Sequence, residues 1–128
     1  LDMDWHTISA KESIKDANSF EQKSLSEIGL IEEIAARYRT TYFAHIFSGG
    51  YSSGYYSYVH AAVLDSDGFE AFKEAGDVFD AELSSKLRKH IYEKGSTEEA
   101  MDLYVNFRGR KPIIAPLLKV RGLDGSSD

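Results

Sequence analysis

Along this 128-residue chain the apolar positions recur at three-to-four spacing, and no strand-length stretch alternates Val, Ile or Thr with polar residues. That is the period of helices, so the pattern predicts an all-α chain with one glycine-rich loop. Residues 4–13 follow neither period and read as an extended or irregular entry. Asn18 and Glu21 have the spacing of a capping box, in which two side chains satisfy orphan N–H groups of a first helical turn. They predict a helix to about Ile28, with Gly29 as its C′ residue. Residues 31–36 add a short helical turn, and residues 37–50 read mostly as loop. A helix is then predicted from Tyr51 to about Leu64, with Val59, Ala62 and Val63 as a packing face. Asp65-Ser66-Asp67 reads as the cap of a short helix through Ala75, broken at Gly76. Asp80 caps a longer helix to Lys94, in which Leu83, Leu87 and Ile91, with His90, form an apolar stripe, and Gly95 ends it. Ser96 with Glu99 is a second capping box, opening a helix to about Phe107 with Ala100, Leu103, Tyr104 and Phe107 inward. Pro112 and Pro116 bracket a final turn ending near Val120, and residues 125–128 read as a disordered tail.

The chemistry concentrates in residues 45–58, His-Ile-Phe-Ser-Gly-Gly-Tyr-Ser-Ser-Gly-Tyr-Tyr-Ser-Tyr. On a helix starting near Tyr51, the phenols of Tyr51, Tyr55 and Tyr58 would share one face and Tyr56 would point away. Gly49, Gly50 and Gly54 let the backbone bend sharply or approach a ligand closely. A mobile loop carrying neutral hydrogen-bond donors suits a peptide carbonyl or a developing oxyanion. The plainer alternatives are an ordinary loop histidine at position 45 and a tyrosine stripe that is core, each hydroxyl with one partner. A phosphate cradle would need Gly-Lys-Ser/Thr after the loop, and no Lys lies between Lys23 and Lys73. Arg108 and Arg110 flank Gly109; such arginines can grip a substrate carboxylate, but tying a loop to acidic side chains or carbonyls is the preferred role here. His6 reads as packing beside Trp5, and Glu32, Glu33, Glu98 and Glu99 as solvated charges at helix starts.

Composition narrows the class. Apolar residues make up 42% and charged residues 28%, as in ordinary globular domains. A net charge of −6 argues against non-specific nucleic-acid binding. There is no cysteine, which removes disulfides and thiolate metal sites. No apolar run approaches the ~18 residues of a membrane span, so no membrane partner is expected. A cytoplasmic location is expected, with the periplasm also open.

Residues 37–58, with Tyr38, Tyr42-Phe43-Ala44-His45 and Gly50-Tyr51, resemble the thimet oligopeptidase family of zinc peptidases, in particular its bacterial peptidyl-dipeptidase branch. Leu1-Asp2-Met3-Asp4-Trp5-His6 is similar to a segment of that catalytic region. Phe107-Arg108-Gly109-Arg110-Lys111-Pro112 and Val120-Arg121-Gly122-Leu123 are similar to its C-terminal end. The resemblance covers residues 1–123 and leaves 124–128 as a tail. It implies an all-α, C-terminal helical part of a larger, mostly helical zincin-type domain. It also implies that Tyr55 and Tyr58 contact the transition state, while His45, Gly49, Gly50 and Tyr51 hold the substrate backbone. His60 departs from the family pattern, which usually has Trp there.

The family's zinc motif, His-Glu-x-x-His, begins at none of His6, His45, His60 or His90. Two histidines one helical turn apart are what grips the metal from one face. Zinc is therefore expected in the full-length enzyme and not on this chain, which starts at Leu1 and reads as a C-terminal piece of a longer protein. The expected function is the substrate-binding and oxyanion-stabilising wall of a zinc peptidase acting on short peptides and releasing C-terminal dipeptides. Alone, the chain is expected to be inactive. Its expected partners are short peptides and the upstream portion of the same domain, and self-association of the isolated piece would cover apolar surface. The alternatives are a non-enzymatic helical module that binds peptides or proteins, and a purely structural helical domain with a tyrosine-rich core.

Overall fold

Glycines at positive φ end several helices of this chain, and the carboxylates of Asp16 and Asp80 cap the starts of two. In the computed structural model, which describes residues 1–125, every regular element is helical and no strand occurs among the described residues. The elements are α1 (Asp2–Thr7), α2 (Ala17–Glu27), a 3₁₀ turn (Thr40–Tyr42), α3 (Ala44–Ser48), α4 (Ser57–Ala75), α5 (Ala81–Leu87), a π turn (Arg88–Tyr92), α6 (Ala100–Arg108) and α7 (Ala115–Val120). The all-α expectation holds. Of the expected tail, residues 126–128 lie outside the described residues. None of the helices is long and apolar enough to cross a membrane among the described residues. The chain divides into two compact units, Leu1–Ser57 and Tyr58 onward.

In the first unit, the segment expected to be irregular at 4–13 contains part of α1. Its Trp5 ring lies 4.1 Å from Phe20 of α2 and 6.0 Å, edge-on, from Phe47 of α3. The indole N–H donates to Thr40 Oγ1 at 3.1 Å. The start of α2 corrects the capping-box expectation. Asp16, not Asn18, is the cap, and it accepts from the backbone of Asn18 and Ser19. Glu21 does not reach back to the helix start, because it is only 3% exposed and committed elsewhere. It accepts from Thr40 N at 2.6 Å and from Arg39 Nε. Burial opposes ionisation of Glu21, but these donors outweigh it and hold its pKa below the ordinary value. Gly29 does end α2, at φ +78°. Gly29 N donates to Ser26 O and Leu30 N to Leu25 O, the paired bonds of a Schellman motif. The helical turn expected at 31–36 shrinks to one bond, Ile34 N to Ile31 O. The loop expected at 37–50 instead holds the 3₁₀ turn and α3, whose Ile46 is fully buried.

The second unit is built on α4, which runs through the cap expected at Asp65-Ser66-Asp67 without interruption. Asp67 is fully buried. Its carboxylate accepts from Arg110 Nη2 at 2.6 Å, Arg110 Nη1 at 3.1 Å and the Tyr104 hydroxyl at 2.5 Å. Arg108 donates to Asp67 O at 3.1 Å and to Glu74 Oε1 at 2.6 Å. The two arginines thus have the structural role preferred from the sequence. Burial, then the bond to Asp67, pushes the Tyr104 phenol upward, so Tyr104 stays a neutral donor.

Ala71, Phe72 and Phe107 form the buried cluster of this unit, and the expected stripe of Leu83, Leu87 and Ile91 packs against it. Asp80 caps α5 by accepting from Leu83 N at 2.7 Å. Beyond Leu87 the helix widens, with Glu93 N donating to Arg88 O across five residues. Helix α6 starts at Ala100, later than the Ser96 box predicts, and Glu99 caps it with no side-chain bond. Leu103, Tyr104 and Phe107 face inward as expected, whereas Ala100 is exposed. Gly109 closes α6 at φ +81°, a left-handed turn that brings Arg110 round to Asp67.

Replacing Asp67 by Ala would leave two arginines without their shared buried partner. Unfolding stability at neutral pH is expected to fall by about 3 kcal/mol, read as a lower urea midpoint. The pKa of Asp67 is lowered: burial opposes ionisation, and the bonds from Arg110 and Tyr104 with the charges of Arg110 and Arg108 outweigh it. Its contribution is therefore complete above the ordinary value of 3.8 and fades as pH falls through the folded value. The gap between wild type and Asp67→Ala should narrow when the urea titration is repeated below that pH.

Candidate functional site

Gly49 and Gly50 decide the geometry of residues 45–58. A Cβ at Gly49 would meet His45 O at 3.0 Å, and Gly50 sits at φ +78°. Together they stop α3 and turn the chain. The helix predicted from Tyr51 does not form at this point. Residues 51–56 instead make consecutive turns, closed by Gly54 N to Tyr51 O at 2.8 Å and Ser57 N to Gly54 O at 3.0 Å. Ser53 adopts a left-handed φ of +55°, which an α-helix cannot contain. Helix α4 begins only at Ser57. The single-face ladder of Tyr51, Tyr55 and Tyr58 is therefore corrected: the first two stand on turns and the third on a helix.

The structure nevertheless gathers three of the predicted side chains in the first unit. His45, in the first turn of α3, has its ring centroid 5.6 Å from that of Tyr51 and 5.9 Å from that of Tyr55. Tyr55 is held from behind by Phe43, edge-on at 4.9 Å, and by Tyr38, edge-on at 6.3 Å. Phe43 and Tyr38 stack at 4.9 Å with 11° between their planes. Each well-placed aromatic pair adds about 0.5–1.5 kcal/mol beyond burial, so Tyr55 sits in a defined seat. Tyr58 belongs to the second unit, on the first turn of α4, and is 47% exposed. His60, farther along α4, is exposed. His6 packs as expected, with its ring 5.6 Å from that of Phe47.

A concavity of about 350 Å³ opens beside this cluster, bordered by Asp2, Arg37, Tyr38, Phe43, Tyr55 and Tyr56. A larger groove of about 480 Å³ lies in the second unit, walled by Phe69, Phe72, Leu87, Ile91, Leu103 and Phe107. It is apolar and contains none of the predicted site residues. The histidine and tyrosines of the first unit carry the hydrogen-bonding chemistry: imidazole offers one donor and one acceptor, and each phenol a donor and an acceptor. Among the described residues, no group of three or more His, Asp or Glu could hold a metal ion.

The loop has a support that periodicity could not reveal. The Asp2 carboxylate of α1 accepts from Ser53 N at 3.0 Å and from Tyr55 N at 2.9 Å. Donors and acceptor lie far apart in the chain, and the hint in the sequence is that Asp2 lies in one of the segments carrying the family resemblance.

The sequence model of peptidase family M3 matches residues 1–123. The dipeptidyl carboxypeptidase of Escherichia coli (strain K12) is 39% identical over 125 residues, which is 97% of this chain and 18% of that protein. Oligopeptidase A of the same organism is 45% identical over 83 residues, 65% of this chain and 12% of that protein. The probable cytosolic oligopeptidase A of Arabidopsis thaliana is 44% identical over 88 residues, 66% of this chain and 13% of that protein. The chain thus spans less than a fifth of the length of these relatives. With nearly all of its length matched, the chain belongs to peptidase family M3.

Proposed function

We propose that this chain forms the substrate-binding and oxyanion-stabilising wall of a zinc-dependent peptidase that hydrolyses short peptides and releases C-terminal dipeptides. The observation that carries the proposal is the cluster of His45, Tyr51 and Tyr55 rings around a glycine turn. Membership of peptidase family M3, and the name of the dipeptidyl carboxypeptidase relative, support the reaction class. In this role the Tyr55 and Tyr58 phenols donate to the oxyanion that forms when the scissile carbonyl is attacked. His45, Tyr51 and the backbone at Gly49 and Gly50 hold the peptide main chain. Zinc, which supplies the activated water, is held by residues outside this chain, in the remainder of the catalytic domain.

Two outcomes are expected. The purified chain, given zinc, should leave a blocked tripeptide intact, and mixing it with the remainder of the catalytic domain should produce chelator-sensitive release of the C-terminal dipeptide. Zinc-dependent cleavage by the chain alone would overturn the division of labour. In the full-length peptidase, Tyr58→Phe and Tyr55→Phe should each lower kcat by about 10²–10³-fold with melting temperature unchanged. A variant with normal kcat and lowered stability would assign that hydroxyl to packing.

A further inference from the structure

We propose that Asp2 is the positioning residue of the peptide-binding turn, acting on substrate through the backbone of Ser53 and Tyr55; this rests on the peptide-binding role proposed for that turn. Both oxygens of one carboxylate are used. Oδ1 accepts from Ser53 N at 3.0 Å and Oδ2 from Tyr55 N at 2.9 Å. The Asp2 side chain is 10% exposed, and the His6 ring nitrogen Nδ1 lies 2.9 Å from Oδ1 and 2.8 Å from Asp2 O. The His6 ring in turn rests on Phe47 of α3. The carboxylate is therefore braced on one side by α1 itself and by α3, and grips the turn on the other.

The turn needs such a grip. It contains Gly50 and Gly54, and glycine loses more backbone freedom on ordering than any other residue. Ser53 is held at φ +55° without being glycine, a conformation that does not persist unless its surroundings enforce it. The two amides that Asp2 binds lie on either side of Gly54, so one side chain fixes both halves of the turn. A bond to a charged acceptor is roughly twice as strong as a neutral one, and two bonds from one carboxylate fix orientation as well as distance. The Tyr55 side chain leaves the backbone one atom from the clamped nitrogen. Its direction toward His45, at 5.9 Å between centroids, follows from that clamp together with the Phe43 and Tyr38 rings behind it. Position matters at this site, since misplacing a catalytic group by about 1 Å can cost about 10²-fold in rate.

The test is made in the full-length peptidase, reading kcat, KM and amide hydrogen exchange together. Asp2→Ala should lower kcat by about 10- to 100-fold, with a smaller change in KM, and should selectively raise exchange at the Ser53 and Tyr55 amides. Asp2→Asn keeps one acceptor oxygen, so it should fall between Asp2→Ala and wild type in both readouts, and it covers the case in which Asp2→Ala does not fold. Exchange at those two amides unchanged in Asp2→Asn, or kcat per folded molecule within twofold of wild type in Asp2→Ala, would overturn the proposal. A wild-type enzyme with no peptidase activity would instead sink the functional reading, and the amide exchange would still decide whether Asp2 clamps the turn.

Discussion

A carboxylate taken out of water must find its full set of donors, and each unit of this protein is organised by meeting that demand. Losing hydration costs a charged group several kcal/mol, so its partners cannot be left to chance. Asp67 is met by two arginines and a phenol, and in being met it ties α4 to the end of α6. Glu21 is met by Arg39 and the Thr40 amide, and ties α2 to the 3₁₀ turn. Asp2 is met by two amides of the tyrosine turn. The apolar contacts give these units bulk; the carboxylates determine which backbone segments face one another.

That division explains which features are legible in the sequence. Helix-ending glycines, one cap and one apolar stripe read correctly from short-range spacing. Gly29 and Gly76 end their helices at positive φ, Asp80 caps α5, and the spacing of Leu83, Leu87 and Ile91 marks a packed face. Helix starts mislead where an acidic or hydroxyl side chain has two possible employments. Glu21 has the spacing of a capping residue, yet Arg39 and Thr40, far along the chain, claim it. Asp67 looks like part of a cap, yet it is the centre of a buried network inside α4. Local propensity and long-range pairing draw on the same residue types, and a single sequence does not show which has prevailed.

The candidate site shows the same balance. The residue types at 45–58 announce hydrogen-bonding chemistry, and His45, Tyr51 and Tyr55 do come together. The route differs from the one that periodicity suggests. Spacing of i, i+4 and i+7 implies a shared face only on a continuous helix, and Gly50, Ser53 and Gly54 use the same stretch to build turns. Phe43 and Tyr38, which seat Tyr55, are visible as part of a family-like segment but not as its support, because ring packing leaves no spacing rule.

The π turn after α5 has its own consequence for the second unit. On a regular α-helix, side chains four residues apart over-rotate by about 40° at each step. Leu83, Leu87 and Ile91 would therefore spiral away from a flat partner. The bond from Glu93 N to Arg88 O spans five residues, and a wider turn advances less in angle per residue. The drift between Leu83 and Leu87 is thus reduced between Leu87 and Ile91, and all three meet the Phe72 and Phe107 cluster. Seven residues of regular helix, the spacing left if one of residues 88–90 were removed, turn through about 700° and would set Ile91 about 20° from Leu83 on the same face, so the wider turn takes up one additional residue without moving the stripe off its partner.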